Sequence, residues 1–305
     1  MRRLGVLCAL AATAACLWGA TTASAGSFAT RLTSTNGFGS FDDTITCANG
    51  GDGPSWRYGY TGAATPLSGT LGGLWSGTLE VHRSTVTGGF MPGGTGRVAI
   101  DAGDRGGLFL EFSGGSCTTT PLTLSNGGDE PTVSGALPFQ ITGGIGAYRL
   151  VTGSGTAALT AQLTKGADNA AQIDLSGTVT ALQPNLTVSA ASARWPRIAD
   201  WLGRNIAVGV TVTNSGPSST TGDAFDVDLV SATVSGAGPA SHPPKITRLN
   251  AGQSAGVGFT VSNVNPGATY SITLTFASKD AFGGAAAPVV VTRTFKAPLT
   301  PLNII

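Results

Sequence analysis

The sequence predicts an all-β protein made of two antiparallel units in tandem. Three observations carry that expectation. Apolar residues recur at every second position through most of the chain, as in strands with one buried and one wet face. Glycine is abundant, with 46 in 305 residues, and only 11% of residues are charged, a composition that suits many short strands joined by tight turns. No stretch shows the 3.6-residue period of a long amphipathic helix.

The chain opens on a targeting segment. Arg2 and Arg3 precede an apolar run from Leu4 to Trp18, and Ala23-Ser24-Ala25 forms a small-residue cleavage site. Residues 1–25 read as a signal peptide cleaved after Ala25, which places the mature chain outside the cell. The alternative is a lipid anchor at Cys16, although Thr13 stands where that signal usually has Leu. No later run reaches membrane-spanning length. The leader takes two Arg and no acid with it, so 17 Lys and Arg against 16 Asp and Glu become 15 against 16, a net charge of −1. That balance gives no bulk electrostatic reason to bind nucleic acid or an anionic membrane.

Cys8 and Cys16 leave with the leader, and Cys47 and Cys117 remain. An even pair in an oxidising compartment is expected to form a disulfide. It would close a loop of about 70 residues, worth roughly 4 kcal/mol in the chain-entropy account. There is no C-x-x-C, and His82 and His242 have no ligand-like spacing, so no metal or cofactor is expected.

The first unit spans 26–183. Trp75, Gly77, Leu79 and Val81 alternate with Ser76, Thr78, Glu80 and His82. Leu108, Leu110 and Phe112 share a face, as do Leu137, Phe139 and Ile141, then Ala157 to Leu163, then Ile173 to Val179. About eight to ten strands result, and a sheet of that size must close or split into two layers. The stretch Phe139 to Leu163, with Thr142-Gly143-Gly144, Tyr148 and Gly153-Ser154-Gly155, reads as a glycine-marked corner between two strands. It resembles the corner of the allene oxide cyclase-like and dirigent-like β-barrels, a resemblance that spans Leu67 to Val179. Ile145 departs from the usual Thr, and Arg149-Leu150-Val151 replaces a run of small residues. The resemblance implies a closed barrel of about eight strands. It also implies an apolar lumen in which a few inward polar groups guide a cyclisation or coupling, and assembly as dimers or trimers.

A catalytic carboxylate would have to lie inside such a barrel, where burial raises its pKa. Glu80, His82, Asp101 and Asp174 alternate with apolar residues and are expected to face solvent. Glu111 shares a face with Phe109 and Ser113 and is the candidate acid, weighed against a surface position. Arg83 is a candidate cap on the barrel mouth, weighed against a solvated strand end. Trp56, Tyr58 and Tyr60 sit on one strand face and are candidates for stacking on a sugar, against a core-packing reading. No G-x-S-x-G elbow or Ser-His-Asp set is present.

Gln183-Pro184-Asn185 marks the boundary, since Pro184 cannot donate to a sheet. The second unit, 184–297, carries Leu186 to Val188, Ile206 to Asn214, the turn Ser215-Gly216-Pro217, Phe225 to Val234, Val257 to Val261 and Tyr270 to Phe276. These residues resemble bacterial immunoglobulin-like modules, which implies a seven-stranded sandwich. Asp223, Asp226 and Asp228 suggest calcium, but Asp226 and Asp228 alternate outward on a strand and lack a wrapping loop, so they read as solvated surface. The insertion Arg194 to Arg204, with Trp195 and Trp201, is a candidate recognition patch, weighed against packing on the barrel. Residues 298–305 read as a tail.

The resulting expectation is a secreted, non-catalytic binding or surface-accessory protein whose partner is a small apolar ligand, an extracellular glycan or a protein. The alternative is a cyclase- or isomerase-like barrel acting on a small apolar molecule in its lumen.

Overall fold

The computed structural model describes residues 23–42, 55–82, 93–112, 123–125, 132–162 and 166–301. Cys47, Cys117 and Arg83 lie outside the described residues, so the disulfide and the mouth cap are not among its features.

The first unit contains nine strands: β1 (Ala23–Asp42), β2 (Ser55–Ser68), β3 (Gly73–His82), β4 (Gly93–Asp101), β5 (Gly107–Phe112), β6 (Thr123–Ser125), β7 (Thr132–Gly144), β8 (Thr152–Gln162) and β9 (Gly166–Leu182). They pair antiparallel in the order β5-β4-β3-β2-β1-β9-β8-β7-β6, and a β5–β7 ladder closes eight of them into a barrel. β1 takes in Ala23–Ala25, which pair with Leu182, Ala181 and Thr180 ahead of the expected cleavage point. Its register against β2 shifts between Ala29 and Thr30 and between Thr33 and Phe38. Such bulges bend a strand, and bending is what closure of a sheet requires.

The barrel interior pairs aromatic rings with glycines. A Cβ on Gly39 would lie 2.0 Å from the Tyr58 ring, and one on Gly37 would lie 2.3 Å from the Tyr60 ring. The tip of Phe139 occupies the same kind of space over Gly155 and Gly177, which face each other across β8 and β9. Gly153-Ser154-Gly155 therefore opens β8, with Gly155 beneath the Phe139 ring, and the turn itself is made at Gly146, whose φ is +64°. Large and absent side chains alternate so that eight strands can enclose a packed centre.

The second unit is a sandwich of two sheets. One holds β10 (Leu186–Val188), β11 (Ser192–Arg194), β12 (Ile206–Asn214) and β15 (Ser254–Val261). The other holds β13 (Ala224–Val234), β14 (Ile246–Leu249), β16 (Thr269–Lys279) and β17 (Val289–Lys296) in the order β14-β13-β16-β17. β10 and β11 both pair with β12 and act as two halves of one interrupted strand, giving seven strand positions. Val208, Val212 and Val261 meet Ile272, Leu274 and Phe276 in a core that needs no cross-link. The five-residue helix α1 (Ile198–Leu202) stands between β11 and β12.

Gly39 and Gly59 test the ring-on-glycine packing. Gly39→Ala displaces the Tyr58 ring and is expected to lower stability by about 1–3 kcal/mol. Gly59→Ala adds a methyl with nothing within 4 Å and is expected to stay within about 0.5 kcal/mol of the parent. Urea unfolding of the two variants measures both; equal losses would contradict the packing described.

Candidate functional site

Parity decides which side chains enter the barrel. Tyr58 and Tyr60 fall on the inward face of β2, opposite Leu79 and Gly77 of β3. Both are buried, with the Tyr60 ring stacked between Tyr58 at 6.1 Å and Trp75 at 6.4 Å. The Tyr60 hydroxyl donates to the Gln162 carbonyl at 3.0 Å, and the Trp75 indole N–H donates to the Thr33 carbonyl at 3.0 Å. The core-packing reading of this face therefore replaces the sugar-stacking one. For Trp56 the structure gives register only, opposite Phe41 and Val81.

Glu111 lies on the outer wall of β5 and pairs with Arg97 of β4 at 3.2 Å, half-exposed. As a lumenal acid it is corrected: its neighbours Leu110 and Phe112 point in, so it must point out. Glu80 pairs with Arg57 and Asp174 with Arg31, both outside the barrel. Among the described residues, Thr30, Ser34 and Asn169 lie buried inside, and so does the Tyr148 hydroxyl, which has no hydrogen-bond partner. The Thr30 hydroxyl donates to the Leu71 carbonyl and the Asn169 amide to the Gly37 carbonyl, so they tether backbone at bulges and turns. Thr30 shares parity with Phe28 and Leu32, a signal that could have placed it inside.

One end of the barrel is closed by the sandwich. The loop Asp280–Gly284, between β16 and β17, seats Phe282 between Phe28 at 5.8 Å and Tyr148 at 5.2 Å. The Asp280 carboxylate shapes the loop, accepting from the Phe282 and Gly284 N–H groups at 2.9 Å and from Gln183 at 3.2 Å. Thr70 and Arg105 of the barrel both donate to the Ala281 carbonyl at 3.0 Å. Phe225 also leaves the sandwich core for this joint, with the Arg105 guanidinium 4.4 Å above its ring.

A buried charge cluster borders the aromatic seat. Arg149 reaches Asp223 at 3.1 Å and donates to the Ser218 and Thr221 carbonyls; Arg248 reaches the other Asp223 oxygen at 2.7 Å and also donates to the Asp104 carbonyl. Asp223 is buried; Asp226 is half-exposed and pairs with Lys279, whereas Asp228 is largely buried between His242 and Lys245, which corrects the solvated reading there. Among the described residues, the Trp insertion packs on the sandwich and not on the barrel. Trp195 is buried in the sandwich and donates to the Pro298 carbonyl at 2.8 Å, and Trp201 packs against the same core.

A shallow trough of about 780 Å³ runs along the outer wall of β2–β5, floored by Gly59, Thr61, Ser76 and Thr78. Leu74, Phe109 and Ile145 flank one end, and the ion pairs Arg57–Glu80 and Arg97–Glu111 flank the other. It offers hydroxyls, one aromatic ring and paired charges to a ligand, with no nucleophile–base pair. Among the described residues no group of three or more His, Cys, Asp or Glu could hold a metal ion. No family model, curated protein or solved structure gives a significant match to the chain.

Burial pushes the Tyr58 phenol up to about 12, and burial together with the Tyr58 charge raises Tyr60 further. Both phenols are neutral at physiological pH. A folded pKa above the unfolded value of about 10 gives stability that is full below pH 10 and lost as pH rises toward 12. Chemical unfolding across that range is expected to show the loss, and Tyr58→Phe is expected to flatten it; an unchanged slope in the variant would contradict the assignment.

Proposed function

We propose that the mature chain is a secreted, non-catalytic binding or surface-accessory protein whose barrel, of allene oxide cyclase-like or dirigent-like type, serves as a rigid platform. The observation that carries the reading is the filled barrel. Tyr58, Tyr60, Trp75, Phe112 and Phe139 occupy its centre, and Phe282 fills one end. Thr30 and Asn169, buried inside, are bound to backbone carbonyls and so serve the fold. The outer trough supplies the contact surface. Its hydroxyl floor, aromatic wall and balanced ion pairs suit a neutral, hydroxyl-rich ligand such as a glycan chain.

The test uses the secreted protein, a panel of neutral glycans and an anilinonaphthalene sulfonate probe. The expected result is glycan retention that falls at least tenfold in Phe109→Ala, with no stoichiometric uptake of the apolar probe. Uptake of one probe per chain, unchanged in Phe109→Ala and lost on filling the lumen, would overturn the platform reading in favour of a lumenal cyclase or isomerase.

A further inference from the structure

The cations of this protein are not evenly used. Arg31, Arg57, Arg97, Arg149, Lys245, Arg248 and Lys279 each meet a carboxylate, and Arg105 and Arg293 bind backbone carbonyls. Among the described residues, the four remaining cations are Arg194, Arg197, Arg204 and Lys296, and all four are exposed. They lie at one pole of the sandwich. Arg194 ends β11, Arg197 and Arg204 flank α1, and Lys296 ends β17. Hydrogen bonds and packing draw these segments together: the Arg204 carbonyl accepts from the Val264 N–H, the Pro298 carbonyl accepts from the Trp195 indole N–H, and Leu299 packs over Gly267. The pole is remote from the barrel. β12 runs between them, starting beside α1 at Ile206 and ending at Asn214, whose neighbours Gly222 and Asp223 touch the joint.

The same pole carries large aliphatic side chains in water. Ile198 is 50% exposed, Leu202 71% and Leu299 70%. The other tryptophan of the insertion, Trp201, is half-buried beneath them against the sandwich core. Protruding aliphatics ringed by cations are the pattern of an interfacial membrane contact: the apolar tips enter the acyl boundary while guanidinium groups stay at the headgroups. A protein partner would offer carboxylates to the cations but gives no reason for three separate aliphatic tips. A soluble polyanion would use the cations alone. The mature chain's near-zero net charge hides this segregation, because every other described cation is neutralised or bound where it stands.

We propose that the pole formed by Arg194, Arg197, Ile198, Leu202, Arg204, Lys296 and Leu299 docks on an anionic lipid surface. Four cations stand there against the single carboxylate of Asp200 in the insertion. Each cation near an anionic leaflet contributes about fivefold in binding, and the aliphatic tips add a component that salt does not screen. Docking would hold the barrel outward, with its trough in the solvent. The inference supplies a partner for the binding reading above, yet the two fail separately, since vesicle binding can vanish while glycan retention by the trough persists.

The test is co-sedimentation of the mature chain with vesicles of phosphatidylcholine alone and of phosphatidylcholine mixed equally with phosphatidylglycerol. Binding is expected only to the anionic vesicles. Arg194→Gln/Arg197→Gln/Arg204→Gln is expected to weaken it roughly a hundredfold. Ile198→Ser/Leu202→Ser is expected to weaken it at least tenfold and to make the remainder salt-sensitive. All five positions are exposed, so an unchanged thermal midpoint confirms folding in each variant. Absence of binding to anionic vesicles overturns the proposal. So does binding indifferent to Ile198→Ser/Leu202→Ser, with equal capture on a heparin column, which would assign the pole to a soluble polyanion.

Discussion

Phe282 sits where the open end of the barrel would otherwise expose Phe28 and Tyr148 to water. The residue is carried by the sandwich, so the barrel's packing is completed by a segment more than a hundred positions away in sequence. Burying a phenylalanine of this kind is worth about 3 kcal/mol or more. The gain depends on the loop being preshaped, and Asp280 does that by binding two N–H groups of its own turn. The barrel answers with Thr70 and Arg105, which satisfy the loop carbonyl that faces them.

Charge is arranged by the same logic. Asp223 is buried at the joint and bound by Arg149 from the barrel and Arg248 from the sandwich. Such a cluster adds little net stability but strongly penalises any geometry that separates its partners. Packing therefore supplies the attraction between the units, and the buried carboxylate fixes how they meet. On the outer wall the solvent-facing pairs Arg57–Glu80 and Arg97–Glu111 contribute little to stability.

Much of this was legible in the sequence, for identifiable reasons. Period-two alternation placed Trp75, Leu79, Leu108, Leu110 and Val208 to Val212 on buried faces, because a strand has only two sides. The all-β class followed from strand number and glycine content, and closure of the sheet from the resemblance of the Phe139 to Leu163 corner. The joint was not legible. Arg149 stood out as a departure from the resembling barrels, yet nothing local says that it reaches Asp223, since its partner lies 74 residues on. Phe225 carries the same alternation as Val227 and Leu229 but faces the barrel, because a bulge at Asp226, whose φ is +49°, shifts the register of β13 between Phe225 and Asp228. Glu111 was ambiguous because a strand end permits either parity, and the β4–β5 register removes the ambiguity. Trp195 was expected against the barrel because aromatics gather at interfaces. It instead fills the sandwich's far end, where the Pro298 carbonyl accepts its N–H.

The central claim is that Phe282 makes barrel and sandwich one cooperative structure. Hydrogen exchange on the protein and on its Phe282→Ala variant tests it most directly, read at β1 and β9 of the barrel and at β16 of the sandwich. The account predicts that these amides share one global opening free energy in the parent. In Phe282→Ala the barrel amides should fall by about 3 kcal/mol while β16 keeps its protection. Separate opening energies for the two units in the parent, unaltered by the substitution, would contradict it.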